Sequence, residues 1–290
     1  MKMEIRSLFK ACWTVLRDAL PTRWHVVVDH YRYHGQLPNL KHPRTFSEKI
    51  AYSKLHNRDP RMPALIDKIA VKEQMAGHFG AEFVIPTLAV FDNPEQIDFS
   101  ALPYPCVVKA NHASGTNLFM ERRPEDEPRI RRKLRRFLRY RHYRASEEWA
   151  YSQVQPRLLV EPLIEGGEHG LVDYKFHTFA GKVFAIQVDV DRFTDHRRNF
   201  YDGQWKRMPF GLLYPQAPFD VPPPPLLPEM LATAELIGAG FSYVRVDLYA
   251  LAGAVKFGEV TFYPGAGLEL FDPRGFDGLF GAQWPLEAKP

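Results

Sequence analysis

Short alternating apolar runs dominate the chain from residue 83 onward. FVIPTLAVF (83–91), PCVVKA (105–110), RLLVEPLI (157–164), YKFHTFA (174–180), KVFAIQVDV (182–190), YVRVDLYAL (243–251) and AVKFGEVTF (254–262) all carry the β-branched and aromatic residues of strands. Two helical periodicities, near 126–145 and 226–238, lie between them, and PFDVPPPPLLP (218–228) is a stiff connector into the second. Before residue 83 the period is helical. Leu8, Cys12, Val15, Leu16 and Ala19 share one face of a helix over 4–20 that Pro21 stops, packed on the protein body or on a membrane surface or partner. Thr45 and Glu48 form a capping box that opens another helix, and Asp67-Lys68 open a third that closes near Gly77 or Gly80. No internal repeat is present. The pattern predicts an α+β protein with mostly antiparallel sheets, preceded by a helical N-terminal region.

Composition narrows this picture. The 290 residues are 45% hydrophobic and 13% aromatic, enough for one large or two modest domains with a substantial core. No apolar run approaches the roughly eighteen residues of a membrane span, and Lys10 and Arg17 interrupt the N-terminal apolar stretch. Cys12 and Cys106 supply neither a disulfide framework nor metal-site spacing, so the expectation is a cytoplasmic protein, at the inner face of the membrane if it meets one. Net charge is +4, but residues 121–144 hold eleven Lys/Arg against four Asp/Glu, leaving the remainder at about −3. That segment reads as a solvated helix, or as a surface for an anionic polysaccharide or lipid-linked precursor. Nucleic acid is not an expected partner, and membrane contact is at most peripheral.

Candidate chemistry sits in three places. Arg245 and Asp247 share a strand face, as do Glu259 and Thr261, and a turn at LAGA brings the two pairs side by side. Two carboxylates and a hydroxyl beside an arginine suit Mg²⁺, although two amphipathic strands with solvent-facing charges would give the same pattern. VVKANHASGTNLF (107–119) delivers Lys109 into a loop around Ser114-Gly115 whose backbone N–H groups can close over phosphate oxygens. DYKFHTF (173–179) puts Lys175 on one face with Asp173 and His177. GAG at 238–240 and 265–267 completes no dinucleotide-binding unit, and His30 and His34, one helical turn apart, lack a third ligand and read as structural or surface residues.

The order of these segments resembles the ATP-grasp superfamily, and within it the TupA-like branch associated with bacterial teichuronopeptide and other surface-polysaccharide synthesis. The segments carrying the likeness are LPNLKHPRTFSEKI, IDKIAVKEQMAGHFG, VVKANHASGTNLF, LLVEPLIEG, DYKFHTFAGKV, DVDR and VRVDLY…FGEVTFYPGAG. The resemblance implies two α+β lobes gripping ATP: a helical region over 1–60, a first lobe over 61–105, an ATP-covering part over 106–165, and a metal- and substrate-binding lobe over 166–290. It gives Lys68 and Lys109 to the nucleotide phosphates, with Ser114 and Gly115 in the covering loop. LLVEPLI becomes the adenine hinge: counting from Glu161, Pro162 offers its carbonyl and Ile164 its N–H, while Glu168, or else Glu165, takes the ribose. Asp247, Glu259 and Thr261 become the Mg²⁺ ligands, with threonine where many relatives carry asparagine. Arg245 and Lys175 become catalytic, and Arg192, Arg197, Arg198 and Asn199 lie in a loop that captures substrate or is simply solvated, with Arg192 the catalytic candidate. The implied reaction is ATP- and Mg²⁺-dependent ligation of a small-molecule or glycan carboxylate to an amine through an acyl phosphate. Two alternatives are a kinase acting on a sugar hydroxyl and a non-catalytic nucleotide- or glycan-binding protein.

Overall fold

The computed structural model describes residues 21–164, 172–191 and 195–286. Two antiparallel sheets organise it. The first has four strands in the order β1-β4-β2-β3: β1 (Ala89–Phe91), β2 (Cys106–Ala110), β3 (Asn117–Met120) and β4 (Leu158–Pro162). Helix α5 (Glu127–Arg139) covers one face, burying Leu134 against Val108, Leu118, Leu158 and Val160. Period-two alternation therefore turns Val107, Lys109 and Glu161 toward the other face.

The second sheet has five strands in the order β10-β9-β5-β6-β7. Its members are β5 (Asp173–Phe179), β6 (Lys182–Val190), β7 (Arg197–Tyr201), β9 (Tyr243–Leu251) and β10 (Ala254–Thr261), while β8 (Gly211–Leu212) pairs with β11 (Phe271–Asp272) in a separate two-stranded ribbon. Ala252 and Gly253, at φ 50° and 76°, make the two-residue turn between β9 and β10. A bulge at Gly258 then sets Glu259 opposite Asp247 and Thr261 opposite Arg245. A Cβ at Gly258 would lie 2.9 Å from the Asp247 carbonyl oxygen, so glycine permits that close approach.

Helices α1 (Thr22–His34), α2 (Phe46–His56), α3 (Met62–Ile66), α4 (Ala70–Phe79) and α6 (His142–Ser146) precede the second sheet, and α7 (Leu227–Gly238) packs on it. The Thr45/Glu48 capping box opens α2 as expected. Helix α4 starts at Ala70, because Asp67 accepts from the Ile69 N–H at 2.9 Å and holds residues 67–69 as a turn; it ends at Gly80. Among the described residues no helix is long and apolar enough to cross a membrane. The 4–20 helix lies outside them.

Several expectations change. FVIPTLAVF contributes only Ala89–Phe91, since Pro86 cannot donate to a ladder and Val84 forms a single bridge to Phe257. Arg197, Arg198 and Asn199 belong to strand β7, paired with β6, instead of a loop. His30 and His34 stack at 4.3 Å, their nitrogens on the carbonyls of Gln36 and Gly267, which is a structural role.

A C-terminal helix that the pattern did not reveal, α8 (Gly275–Gln283), locks onto the start of α2. Asp277 accepts from the Ser47 N–H and Oγ at 2.9 and 2.6 Å, and Lys49 donates to the Gly281 carbonyl at 2.8 Å. A Cβ on Gly281 would stand 2.1 Å from the Arg44 carbonyl oxygen, whereas Gly278 has open space. Gly281→Ala is expected to destabilise the protein by about 1–3 kcal/mol or more through overpacking, and Gly278→Ala on the same helix to be nearly neutral. Thermal denaturation of the two variants checks this contact.

Candidate active site

Two charged clusters face each other across the sheets. In the four-stranded sheet, Glu161 on β4 is buried between two lysines. Lys109 on β2 reaches its Oε2 at 2.5 Å, and Lys72 on α4 bonds its Oε1. Burial pushes the Glu161 carboxyl up, but Lys109 and Lys72 outweigh it and hold the group below the usual range. Burial pushes the Lys72 ammonium down, partly offset by Glu161. Sequence reasoning missed Lys72, because a lysine on a short helix reads as solvent-facing.

A polar hub anchors the loop after β2. Asn111 is fully buried; its side chain donates to Asp67 at 2.9 Å and accepts from the Arg157 N–H at 2.7 Å. Its carbonyl accepts from the Lys68 N–H at 3.2 Å, which ties Lys68 to the Lys109 loop. Asn111 is a second residue that sequence reasoning missed. Ser114 and Gly115 stand exposed at the loop tip, and Gly115 has φ 71°, with no atom within 4 Å of where a Cβ would stand. At the end of β4, Leu163 donates to the Pro105 carbonyl at 3.1 Å. In an antiparallel ladder that bond makes Pro162 a non-hydrogen-bonded neighbour of Cys106, so its carbonyl points away from β2. Ile164 ends the described segment; Glu165 and Glu168 lie outside it.

The second cluster lies on the five-stranded sheet. Arg245 donates to both oxygens of Asp247, at 2.7 and 2.8 Å, to Thr261 Oγ1 at 3.1 Å and to Glu259 at 3.4 Å. Lys175, directly opposite Asp247 in the ladder, bonds Asp173 and lies 3.4 Å from Asp247 and 3.7 Å from Asp189. Asp189 also receives Arg198 at 2.6 Å and His196 at 3.2 Å, and Arg198 continues to Glu269 at 3.1 Å. Arg198 is thus spent inside the protein, and Asn199 holds the Ala217 and Phe219 backbone. Neither is a free substrate-capturing group; Arg192 lies outside the described residues.

Electrostatics divide the carboxylates. Burial pushes Asp247 up, against Arg245 and Lys175. Burial also acts on Glu259, but Lys68, Arg245 and Lys175 prevail and hold it at about 2. Its side chain keeps 45% of its surface accessible, so it is walled by charge yet open to solvent. Burial opposes ionisation of Asp189, and Arg198 and Lys175 hold it well below the usual range. The clusters meet where Lys68 Nζ lies 3.7 Å from Glu259 Oε2.

Among the described residues no three histidine, cysteine or carboxylate side chains converge as a self-sufficient metal cage. Asp247, Glu259 and Thr261 offer oxygen donors only. That set fits a hard cation that keeps phosphate and water in its shell, rather than one held wholly by protein.

The two antiparallel sheets and their covering helices form an ATP-grasp fold. The chain belongs to the TupA-like ATP-grasp family, whose family model matches residues 48–284. No curated protein matches it. Among solved structures it is similar to the D-alanine–D-alanine ligase from Bacillus anthracis complexed with ATP, at 16% identity and TM-score 0.39, covering 68% of this chain and 53% of that one. It is also similar to the D-alanine–D-alanine ligase from Helicobacter pylori, at 15% identity and TM-score 0.40, with 83% and 69% covered. The ATP-grasp ligase PsnB complexed with minimal precursor, Mg and ADP aligns at 15% identity and TM-score 0.40, with 82% and 66% covered. The chain spans about half the length of the first of these ligases.

Proposed function

We propose that the protein is an ATP- and Mg²⁺-dependent carboxylate–amine ligase that works through an acyl phosphate. The observation that carries this reading is the Lys68–Glu259 contact, which sets phosphate-binding cations against an oxygen-donor cluster in one cleft. The lysines and carboxylates that now pair with each other are the groups a polyphosphate and a cation would engage. Lys109 and Lys68 take the phosphates, the loop at Ser114-Gly115 covers them, and Pro162 and Ile164 meet the adenine edge. Asp247, Glu259 and Thr261 would hold Mg²⁺, which would neutralise charge on the transferred phosphoryl group.

The chemistry follows from positioning. A substrate carboxylate oxygen attacks the γ-phosphorus, the bond to ADP breaks, and Lys109 and Lys68 offset the negative charge on the departing diphosphate. An amine then attacks the acyl carbon; the C–N bond forms as the C–O bond to phosphate breaks. Arg245, anchored on Asp247, offsets the oxyanion charge, and Lys175 keeps Asp247 and Asp189 in place. The proposed carboxylate is a uronic acid or amino acid of a surface polysaccharide or its precursor.

An ADP-release screen across uronic acids and amino acids, each with amine donors, finds the pair. With an ¹⁸O-labelled carboxylate, label is expected in the released phosphate. A stable phosphorylated product without free phosphate would instead make the protein a kinase.

A further inference from the structure

The basic segment at 121–144 divides in the structure into spent and unspent charge. Arg131 donates to the carbonyls of Pro94 and Ile97 and lies over the Phe99 ring. Arg135 lies 3.8 Å from Glu95, Arg123 2.6 Å from Glu127 and Arg122 3.7 Å from Glu125, while Asp126 caps the helix through the Arg129 N–H. Arg129, Arg132, Lys133, Arg136 and Arg139 are exposed, and none has a carboxylate partner among the described residues, although Lys133 also lies 5.7 Å over the Phe137 ring.

The first four of these fall at i, i+3, i+4 and i+7, a stripe about 10.5 Å long on one face of α5. Like charges at these spacings repel, so the stripe costs the helix stability unless something negative lies against it. Two aromatic side chains accompany it. Tyr140, which caps the C-terminal end of α5, is 40% exposed. Phe119, 52% exposed, lines a groove of about 990 Å³ with Arg129, Arg132, Lys133 and Arg136, where Glu121, Glu125 and Asp126 offset only part of the positive charge.

We propose that this face docks the protein on an anionic membrane surface. Charge complementarity supplies the attraction, and the exposed rings beside the stripe are the residue type that settles at a headgroup boundary. Ile130, Leu134, Phe137 and Leu138 are committed to the protein interior, so the contact is peripheral and reversible. A soluble polyanion would meet the same cations but would not account for both rings. Helix α5 covers the sheet that carries Lys109, so docking holds the covering lobe of the cleft at the surface. The inference is independent of the ligase reading.

Co-sedimentation of the full chain with vesicles tests it, comparing phosphatidylcholine alone with phosphatidylcholine containing phosphatidylglycerol. Binding is expected only to the anionic vesicles and to disappear at high salt. Each removed cation should lower partitioning about fivefold, so R129Q/R132Q/R136Q should lose about 100-fold, and R129E/R132E/R136E more. No binding, equal binding to both vesicles, or unchanged binding by the glutamine variant would overturn the proposal. So would binding to a soluble polyuronate or single-stranded DNA with none to vesicles, which would assign the face to a polyanion.

Discussion

Glu259→Gln and Asp247→Asn are expected to lower ADP formation by about a thousandfold or more, because each removes charge that offsets the phosphoryl group during transfer. The two variants should differ in stability. Glu259 keeps 45% of its side-chain surface accessible, so solvent screens the Lys68 charge that its amide would leave. Asp247 is buried under Arg245 and Lys175, and its amide removes the closest carboxylate of Arg245 and one of the three carboxylates around Lys175 in a confined site. Glu259→Gln is therefore the cleaner probe, expected to melt close to the unaltered protein, while Asp247→Asn should melt lower. Near-normal turnover by Glu259→Gln at limiting Mg²⁺ would move the metal site elsewhere.

Lys109→Ala and Lys72→Ala should separate binding from stability, although both lysines pair with Glu161. Lys109 is 26% exposed and Lys72 only 9%. Losing Lys109 leaves Glu161 its buried partner and removes a charge-assisted phosphate contact of roughly 1.5–3 kcal/mol. ATP affinity should fall about 10- to 100-fold with little change in melting. Losing Lys72 leaves a buried carboxylate on one partly exposed cation and should cost about 3–5 kcal/mol of stability. Calorimetry on Lys109→Ala and denaturant unfolding of Lys72→Ala read the two effects. Unchanged ATP affinity in Lys109→Ala would remove that residue from the phosphate site.

The β9–β10 hairpin was legible because period two and a two-residue turn are local properties. Arg245, Asp247, Glu259 and Thr261 could be placed together before any tertiary contact was known. The family likeness was legible for a different reason, the order of many short segments, and the match over residues 48–284 bears it out. Lys72 and Asn111 were not legible as parts of the cleft. Lys72 and Asn111 matter through partners 89 and 44–46 residues distant, which no local pattern encodes. Asp189 and Arg198 sit on neighbouring strands, but RRNFY opens with two arginines and a polar residue, so its strand character shows only once β6 supplies a partner. The basic helix was visible as charge, whereas the division into anchored and unpaired arginines depends on where Glu95 and the 94–97 carbonyls fall in space.

The central claim is that one cleft binds nucleotide and metal together, lysines on one side and carboxylates on the other. A calorimetric titration of the full chain with a non-hydrolysable ATP analogue, with and without Mg²⁺, tests it most directly. The account predicts one site per chain, tightened by Mg²⁺, with that tightening lost in Glu259→Gln. Absence of binding, or an affinity indifferent to Mg²⁺ in the unaltered protein, would contradict it.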